Sequence, residues 1–421
     1  MRKTIKAGME RLINLVRQLV HELARRWRLL LVSLAILGVV LGIGGLLFAW
    51  SGLMPISASS GHWPVTRWVL QFAMHNAVET HAMTVKKPAK TDLTDPTLVL
   101  KGAGHYVTGC VPCHGAPGQE QSLIAKQMTP EPPFLPPKVK EWTSEQLFWI
   151  VKHGIKFTPM PAWVSLQRDD EVWAMVAFLQ KLPTLSPERY RQLAHGELAD
   201  AEIAAGTGLG RLLPPDEPRH AALANCARCH GLDGNGRGLG AFPKLAGQSE
   251  AYLRASLEAY ASGDRHSGIM QPIAVNLDEA AMRALASHYA GMDRSAAQEP
   301  EPSQAAADDP PAGNTEPASI ARGREIARQG IPEQGVPSCV DCHGPGHGPR
   351  NPHYPELAGQ YADYIALQLT LFKEGKRGGT AYADIMHSAV ERMDEKEMRD
   401  AALYYHSLGQ EPGAVQGGER E

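Results

Sequence analysis

The sequence predicts an all-α protein, with three helical domains in tandem behind one N-terminal membrane helix. Three observations predict it. Strand-type alternation is nearly absent from the 421 residues. The six cysteines form three pairs of identical internal spacing, with first cysteines 116 and 113 residues apart. Residues 29–50 carry no charge at all. Length alone points the same way, at about 150 residues per domain. Charged residues make up 21% and apolar residues 43%, which excludes a wholly disordered chain and a collagen. A mean hydropathy of -0.26 excludes a polytopic membrane protein. A formal net charge of -3 lacks the basic excess of a nucleic-acid binder, so no nucleic-acid partner is expected.

The first element is the membrane end. Residues 1–28 hold eight basic and two acidic residues, a charge of +6 that leaves -9 on the rest of the chain. The uncharged run Leu29–Trp50 has 22 residues, about 33 Å as a helix and enough to cross a hydrocarbon core of about 30 Å. The positive flank belongs in the cytoplasm and everything after Trp50 on the far side. A cleaved signal peptide is the alternative, but its apolar region would be shorter, about 7–15 residues, and Ser57-Ala58-Ser59 is a poor cleavage site. A retained anchor is therefore expected. Ile5, Met9, Leu12, Ile13, Val16, Val20, Leu23 and Trp27 recur at helical spacing, as on a basic amphipathic helix at the membrane face or a plain cytoplasmic extension of the anchor. Residues 51–95 form a juxtamembrane segment. There Val65, Trp68, Val69 and Phe72 line one face of a short helix, suited to a membrane interface or to packing on the first domain.

The cysteine pairs read Cys110-Val-Pro-Cys113-His114, Cys226-Ala-Arg-Cys229-His230 and Cys339-Val-Asp-Cys342-His343. Cys-x-x-Cys-His is the attachment pattern of c-type haem. Two thiols one helical turn apart reach the two vinyl edges, and the adjacent imidazole lies under the iron. Random order of the same residues would give about 0.003 such pentads per chain, so three are no accident. A zinc site needs four ligands, and each pair stands more than 100 residues from the next. A thioredoxin-like or disulfide reading does not explain a histidine after every pair. Three covalently attached haem c groups are expected, with His114, His230 and His343 as proximal ligands.

The sixth ligand decides the chemistry, because His–Met coordination closes the iron and leaves electron transfer. The first domain offers Met128, Met160 and Met175. Met175 falls in the periodic run Glu171–Gln180 and reads as core, whereas Met160 lies in the proline-bracketed stretch Lys156-Phe-Thr-Pro-Met160-Pro-Ala-Trp163. The second domain offers Met270, Met282 and Met292, and the third Met386, Met393 and Met398. Met160, Met270 and Met386 follow their histidines by 46, 40 and 43 residues and are the expected ligands, each in a loop. His387 competes with Met386. Arg265 and Arg377 suit haem propionates or are solvated charges.

These landmarks place the first domain at residues 96–185, a linker at 186–204, the second domain at 205–293, an acidic Pro/Ala-rich linker at 294–316, the third domain at 317–410 and a tail at 411–421. Closing helices are expected near Asp170–Lys181, Leu277–Ala290 and Asp394–Ser407. Copies two and three share Phe242-Pro-Lys-Leu-Ala-Gly-Gln248 and Tyr354-Pro-Glu-Leu-Ala-Gly-Gln360, and beyond them Tyr252 and Tyr364, Gly263-x-Arg265 and Gly375-x-Arg377. The first copy lacks that stretch.

With these motifs, all three units resemble class I cytochrome c domains. Residues 205–410 resemble the two-haem c4-type cytochromes, and residues 96–185 resemble monohaem domains of membrane-bound respiratory cytochromes. The resemblance implies haem attachment on the outer face of a bacterial inner membrane and single-electron transfer rather than catalysis. The implied donor is a quinol-oxidising complex or a dehydrogenase. The implied acceptor is a terminal oxidase or a soluble cytochrome or cupredoxin. The alternative is the cytochrome subunit of a membrane-bound quinoprotein alcohol or aldehyde dehydrogenase. A haem enzyme with an open iron is a third reading. The joining segment 294–316 is longer and more acidic than the family's, so contact between the second and third domains stays open.

Overall fold

The structure is a computed structural model that describes residues 2–54, 56–199, 219–293, 317–345 and 350–409. The linker at 294–316, the end of the expected linker at 200–204 with the start of the second domain at 205–218, the stretch 346–349 and the tail from 410 lie outside the described residues. The described residues are helical, with two isolated β-bridges and no strand. They form two compact units, residues 1–62 and residues 63–421.

The first unit is built on α1 (Arg2–Trp50), a single helix of 49 residues. Its part Val20–Trp50 is long and apolar enough to cross a membrane, and serves equally as an anchor or as a signal sequence. No boundary separates the basic segment from the apolar run, because Leu, Arg, Glu and Lys continue a helix as readily as the aliphatic residues after them.

The second unit opens with α2 (Pro64–Ala82). Its C-terminal half buries Val78 and Ala82. There His75 stacks on Trp142 at 4.7 Å and His81 on Trp149 at 5.2 Å between ring centroids. Its N-terminal half leaves Val65, Trp68, Val69 and Phe72 exposed, so these four do not pack on the first domain. The first domain then contains α3 (Pro96–Gly109), α4 (Val111–His114), α5 (Leu135–Lys138), α6 (Ser144–His153), α7 (Asp169–Lys181) and α8 (Pro187–His195). Asp95 caps α3 by accepting from Thr97 N, and Thr143 with Gln146 forms a capping box on α6. Helices α3 and α7 cross closely. A Cβ on Gly102 would collide with the Ala174 carbonyl and the Phe178 side chain. Around that crossing Tyr106, Val172, Val176 and Phe178 are fully buried.

The stretch expected as a linker after residue 185 is partly domain. Ser186 accepts from Arg189 N to start α8, and Tyr190 and Ala194, one turn apart, enter the first domain's core. The rest of that helix is polar, which gives the segment a linker-like composition.

The second domain contains α9 (Arg219–His230), α10 (Glu250–Ser262), α11 (Gln271–Ala274) and α12 (Glu279–Ala290). Its core holds Leu223, Leu253, Leu285 and Tyr289. The third contains α13 (Pro317–Gln329), α14 (Val340–His343), α15 (Ala362–Lys373), α16 (Ala383–Val390) and α17 (Glu395–Ser407). The α13–α17 crossing repeats the first domain's device: Gly323 lies against the Asp400 carbonyl and Tyr404. The closing helices α7, α12 and α17 stand where the sequence places them, the last started by an Asp394–Glu397 capping box. In the third domain residues 330–338 separate the first helix from the cysteine motif, whereas in the second the motif ends one continuous helix.

Candidate haem sites

Each motif histidine is held in the same way. The Nδ1 atoms of His114, His230 and His343 lie 2.9 Å from the carbonyls of Pro133, Pro243 and Pro355. A carbonyl only accepts, so Nδ1 carries the proton and Nε2 keeps its lone pair for a metal. Burial lowers the pKa of all three imidazoles, which favours the neutral, ligating form; the bond to the proline carbonyl opposes this in part.

No disulfide joins any two of the six cysteines. Burial, reinforced by the neighbouring motif thiol, pushes Cys110 and Cys226 up to about 12 and Cys339 up to about 11. Such thiols are poor thiolates, against the needs of a thiol-redox pair. Among the described residues no three His, Cys, Asp or Glu side chains gather as a metal cage.

In the third domain His343 Nε2 and Met386 Sδ face each other at 3.5 Å. His230, Met270, His343 and Met386 line one continuous cavity of about 440 Å³ shared by the second and third domains. Met270 ends the loop that leads into α11, as the sequence suggests, whereas Met386 lies on the short helix α16 rather than in a loop. Met160 does close a loop. Its carbonyl accepts from Ile155 N at 3.2 Å and its amide donates to Thr158 Oγ1 at 3.2 Å. The competing Met175, Met282, Met393 and Met398 are buried core residues. His387 Nδ1 is engaged by the Phe372 carbonyl at 2.7 Å.

The second and third domains meet through residues that repeat in both copies, each bond with its mirror. Lys244 N donates to Gln360 Oε1 at 3.0 Å, and Glu356 N donates to Gln248 Oε1 at 3.0 Å. Gln360 Nε2 donates to the Lys244 carbonyl at 3.0 Å, and Gln248 Nε2 to the Glu356 carbonyl at 2.7 Å. Arg265 donates to Tyr364 Oη at 3.3 Å, and Arg377 to Tyr252 Oη at 3.2 Å. This is the self-complementary pattern of a two-fold interface, here within one chain. The acidic linker therefore does not keep the two domains apart.

Arg265 is only 4% exposed, which removes the solvated-charge reading for it. Its guanidinium meets Ser256 and Tyr364 hydroxyls and the Tyr260 ring, but among the described residues no carboxylate. A buried guanidinium with tyrosine and serine hydroxyls but no carboxylate among its described partners, beside this cavity, fits an incoming carboxylate such as a haem propionate. Sequence reasoning missed the two glutamines as contact residues. Their repetition in both copies was the available signal.

The first and second domains also pack together. Leu100, Cys229 and Phe242 form a buried cluster with Leu193 and Ala241. Arg237 donates to the Leu193 and Gln192 carbonyls at 2.9 and 2.8 Å. Buried Arg228 has no hydrogen-bond partner for any guanidinium nitrogen, and His105 Nδ1 and Tyr190 Oη are likewise unpaired.

Residues 97–179 match the family described as cytochrome c oxidase, cbb3-type, subunit III, and residues 219–298 match the family cytochrome c. A thiosulfate dehydrogenase electron acceptor of Thiomonas intermedia is 35% identical over 43% of this chain and 77% of its own length. A protein of the same description from Stutzerimonas stutzeri is 36% identical over 45% and 81%. Cytochrome c4 of Pseudomonas aeruginosa is 32% identical over 48% and 92%. The crystal structure of reduced cytochrome c4 from Pseudomonas stutzeri aligns with 45% of this chain and 98% of its own, at 29% identity and a TM-score of 0.38.

Proposed function

The chain belongs to the c-type cytochromes, with a cytochrome c4-like two-haem region and a further cytochrome c domain, and from that premise we propose that it is a membrane-anchored, periplasmic three-haem electron carrier. The observation that carries the reading is the threefold repetition of one histidine setting, each imidazole fixed through Nδ1 on a proline carbonyl 2.9 Å away. Each haem c would be held by one motif: Cys110, Cys113 and His114; Cys226, Cys229 and His230; Cys339, Cys342 and His343. Met160, Met270 and Met386 would take the sixth positions, and Arg265 and Arg377 would pair with propionates. When bound, the group supplies an iron that alternates between two oxidation states one electron apart. The chain's own residues fix the ligand set, exclude water and set the local charge, and those are the means by which a protein tunes the potential.

The likeness to two thiosulfate dehydrogenase electron acceptors favours a thiosulfate-oxidising dehydrogenase as the donor among those the fold admits. A terminal oxidase or a soluble cytochrome or cupredoxin would receive the electrons. Holding the haem domains at the membrane raises their effective concentration near such partners. Two experiments test this. A mild-detergent pull-down from native membranes is expected to retain a thiosulfate-oxidising dehydrogenase or a respiratory complex. Recovery of a large quinoprotein alcohol or aldehyde dehydrogenase subunit instead would reject the assignment. Met160→Ala, Met270→Ala and Met386→Ala are each expected to lower one midpoint potential and create one high-spin haem. A variant with an unchanged spectrum would remove that methionine from the ligand set.

A further inference from the structure

Glu171 lies in the first turn of α7, and its side chain is 2% exposed. Its carboxylate accepts from Ser267 Oγ at 2.7 Å and from Gly268 N at 2.6 Å, both in the second domain. It also accepts from Trp163 Nε1 at 3.2 Å and lies 3.1 Å from Arg168 Nη2. Arg168 in turn holds Asp170 and donates to the His266 carbonyl at 2.8 Å. The same Ser267 oxygen that donates to Glu171 accepts from Ile269 N at 3.2 Å and Met270 N at 3.0 Å. A carboxylate of the first domain thus reaches the backbone of Met270 through a single hydroxyl. The approach is tight: a Cβ on Gly268 would collide with the Trp163 indole.

We infer that Glu171 is the positioning residue for Met270, so that the sixth ligand of the second domain's haem is set by the first domain. The inference rests on the reading of Met270 as a ligand. Two features favour positioning over simple adhesion between domains. Glu171 bonds to the two residues that lead into the ligand stretch, and Ser267 passes the restraint to the Met270 amide itself. A buried carboxylate with four partners also has little freedom to move, and a ligand hung on it inherits that rigidity.

The test uses the full chain in detergent, loaded with its haems, and reads the three midpoint potentials and carbon monoxide binding by the reduced protein. Met270→Ala identifies which potential belongs to the second domain. Glu171→Ala is expected to lower that same potential and to open that haem to carbon monoxide. Glu171→Gln, which keeps one acceptor oxygen, is expected to restore most of the shift. Ser267→Ala removes only the relay hydroxyl, and is expected to act on the same potential even if Glu171→Ala fails to accumulate. Wild-type potentials and no carbon monoxide binding in Ser267→Ala, or in a folded Glu171→Ala, would overturn the inference. If Met270→Ala alters no haem, the ligand assignment itself is wrong and the inference falls with it.

Discussion

In each of the three domains the Nδ1 proton of the motif histidine is committed to a proline carbonyl, at sequence separations of 19, 13 and 12 residues. The geometry is the same although the separations differ, because each loop is shaped around the imidazole rather than by a fixed number of residues. The cysteines and histidines of each motif were readable from five consecutive residues, whereas the candidate methionines were singled out only by their spacing from those histidines and by their local context. Of the competing methionines, Met175 and Met282 are 1% and 6% exposed and fill packed cores. One residue outside the motifs makes a pH prediction. Burial, followed by the nearby Arg228 charge, lowers His105 to about 4. The unfolded chain takes up this proton near its ordinary pKa of about 6.5, well before the folded protein does. The stability that neutral His105 contributes is therefore complete above about pH 6.5 and is lost as the pH falls towards 4, a span worth about 3 kcal/mol. Urea unfolding between pH 7 and 4 should show this slope in the native protein and a flatter one in His105→Gln. Equal slopes would mean that His105 is not the group responsible.

Among the elements, the stretch Pro-x-Leu-Ala-Gly-Gln shows what a repeat reveals and what it leaves out. Its presence at 242–248 and 354–360 is visible in the sequence. Its contact is not, because each glutamine meets the backbone of the opposite copy, 108 or 116 residues away. Both glutamines are nearly excluded from solvent, at 4% and 2% exposure. Truncating one strands a buried amide and a buried carbonyl, at a cost of about 1–3 kcal/mol. Gln248→Ala with Gln360→Ala should loosen the second domain from the third. The expected readout is a split unfolding transition, with three haems still attached. A single unchanged transition would contradict the interface. The helix Pro187–His195 is the converse case. Its polar composition resembles a linker, yet Ser186-Pro187-Glu188 is a helix start, and Tyr190 and Ala194 lie one turn apart on its buried face.

At the scale of the whole molecule, residues 63–421 are a single compact unit rather than beads on a string. The first domain contacts the second through α3, α7 and α8, and the second contacts the third through paired glutamines and arginines. The three cysteine–histidine motifs were legible because each occupies five consecutive residues. The compactness was not, since the segments joining the domains are polar and give no hint of what their neighbours bury. The charge separation, +6 on the first 28 residues and -9 beyond, survives as a basic start to α1 and an acidic remainder. The central claim is that each cysteine pair fixes one haem in one domain. Its most direct test is a pyridine haemochrome assay, with protein quantified by amino-acid analysis, on the full chain purified from membranes. The account predicts three covalently bound haem c groups per chain; two or fewer would contradict it.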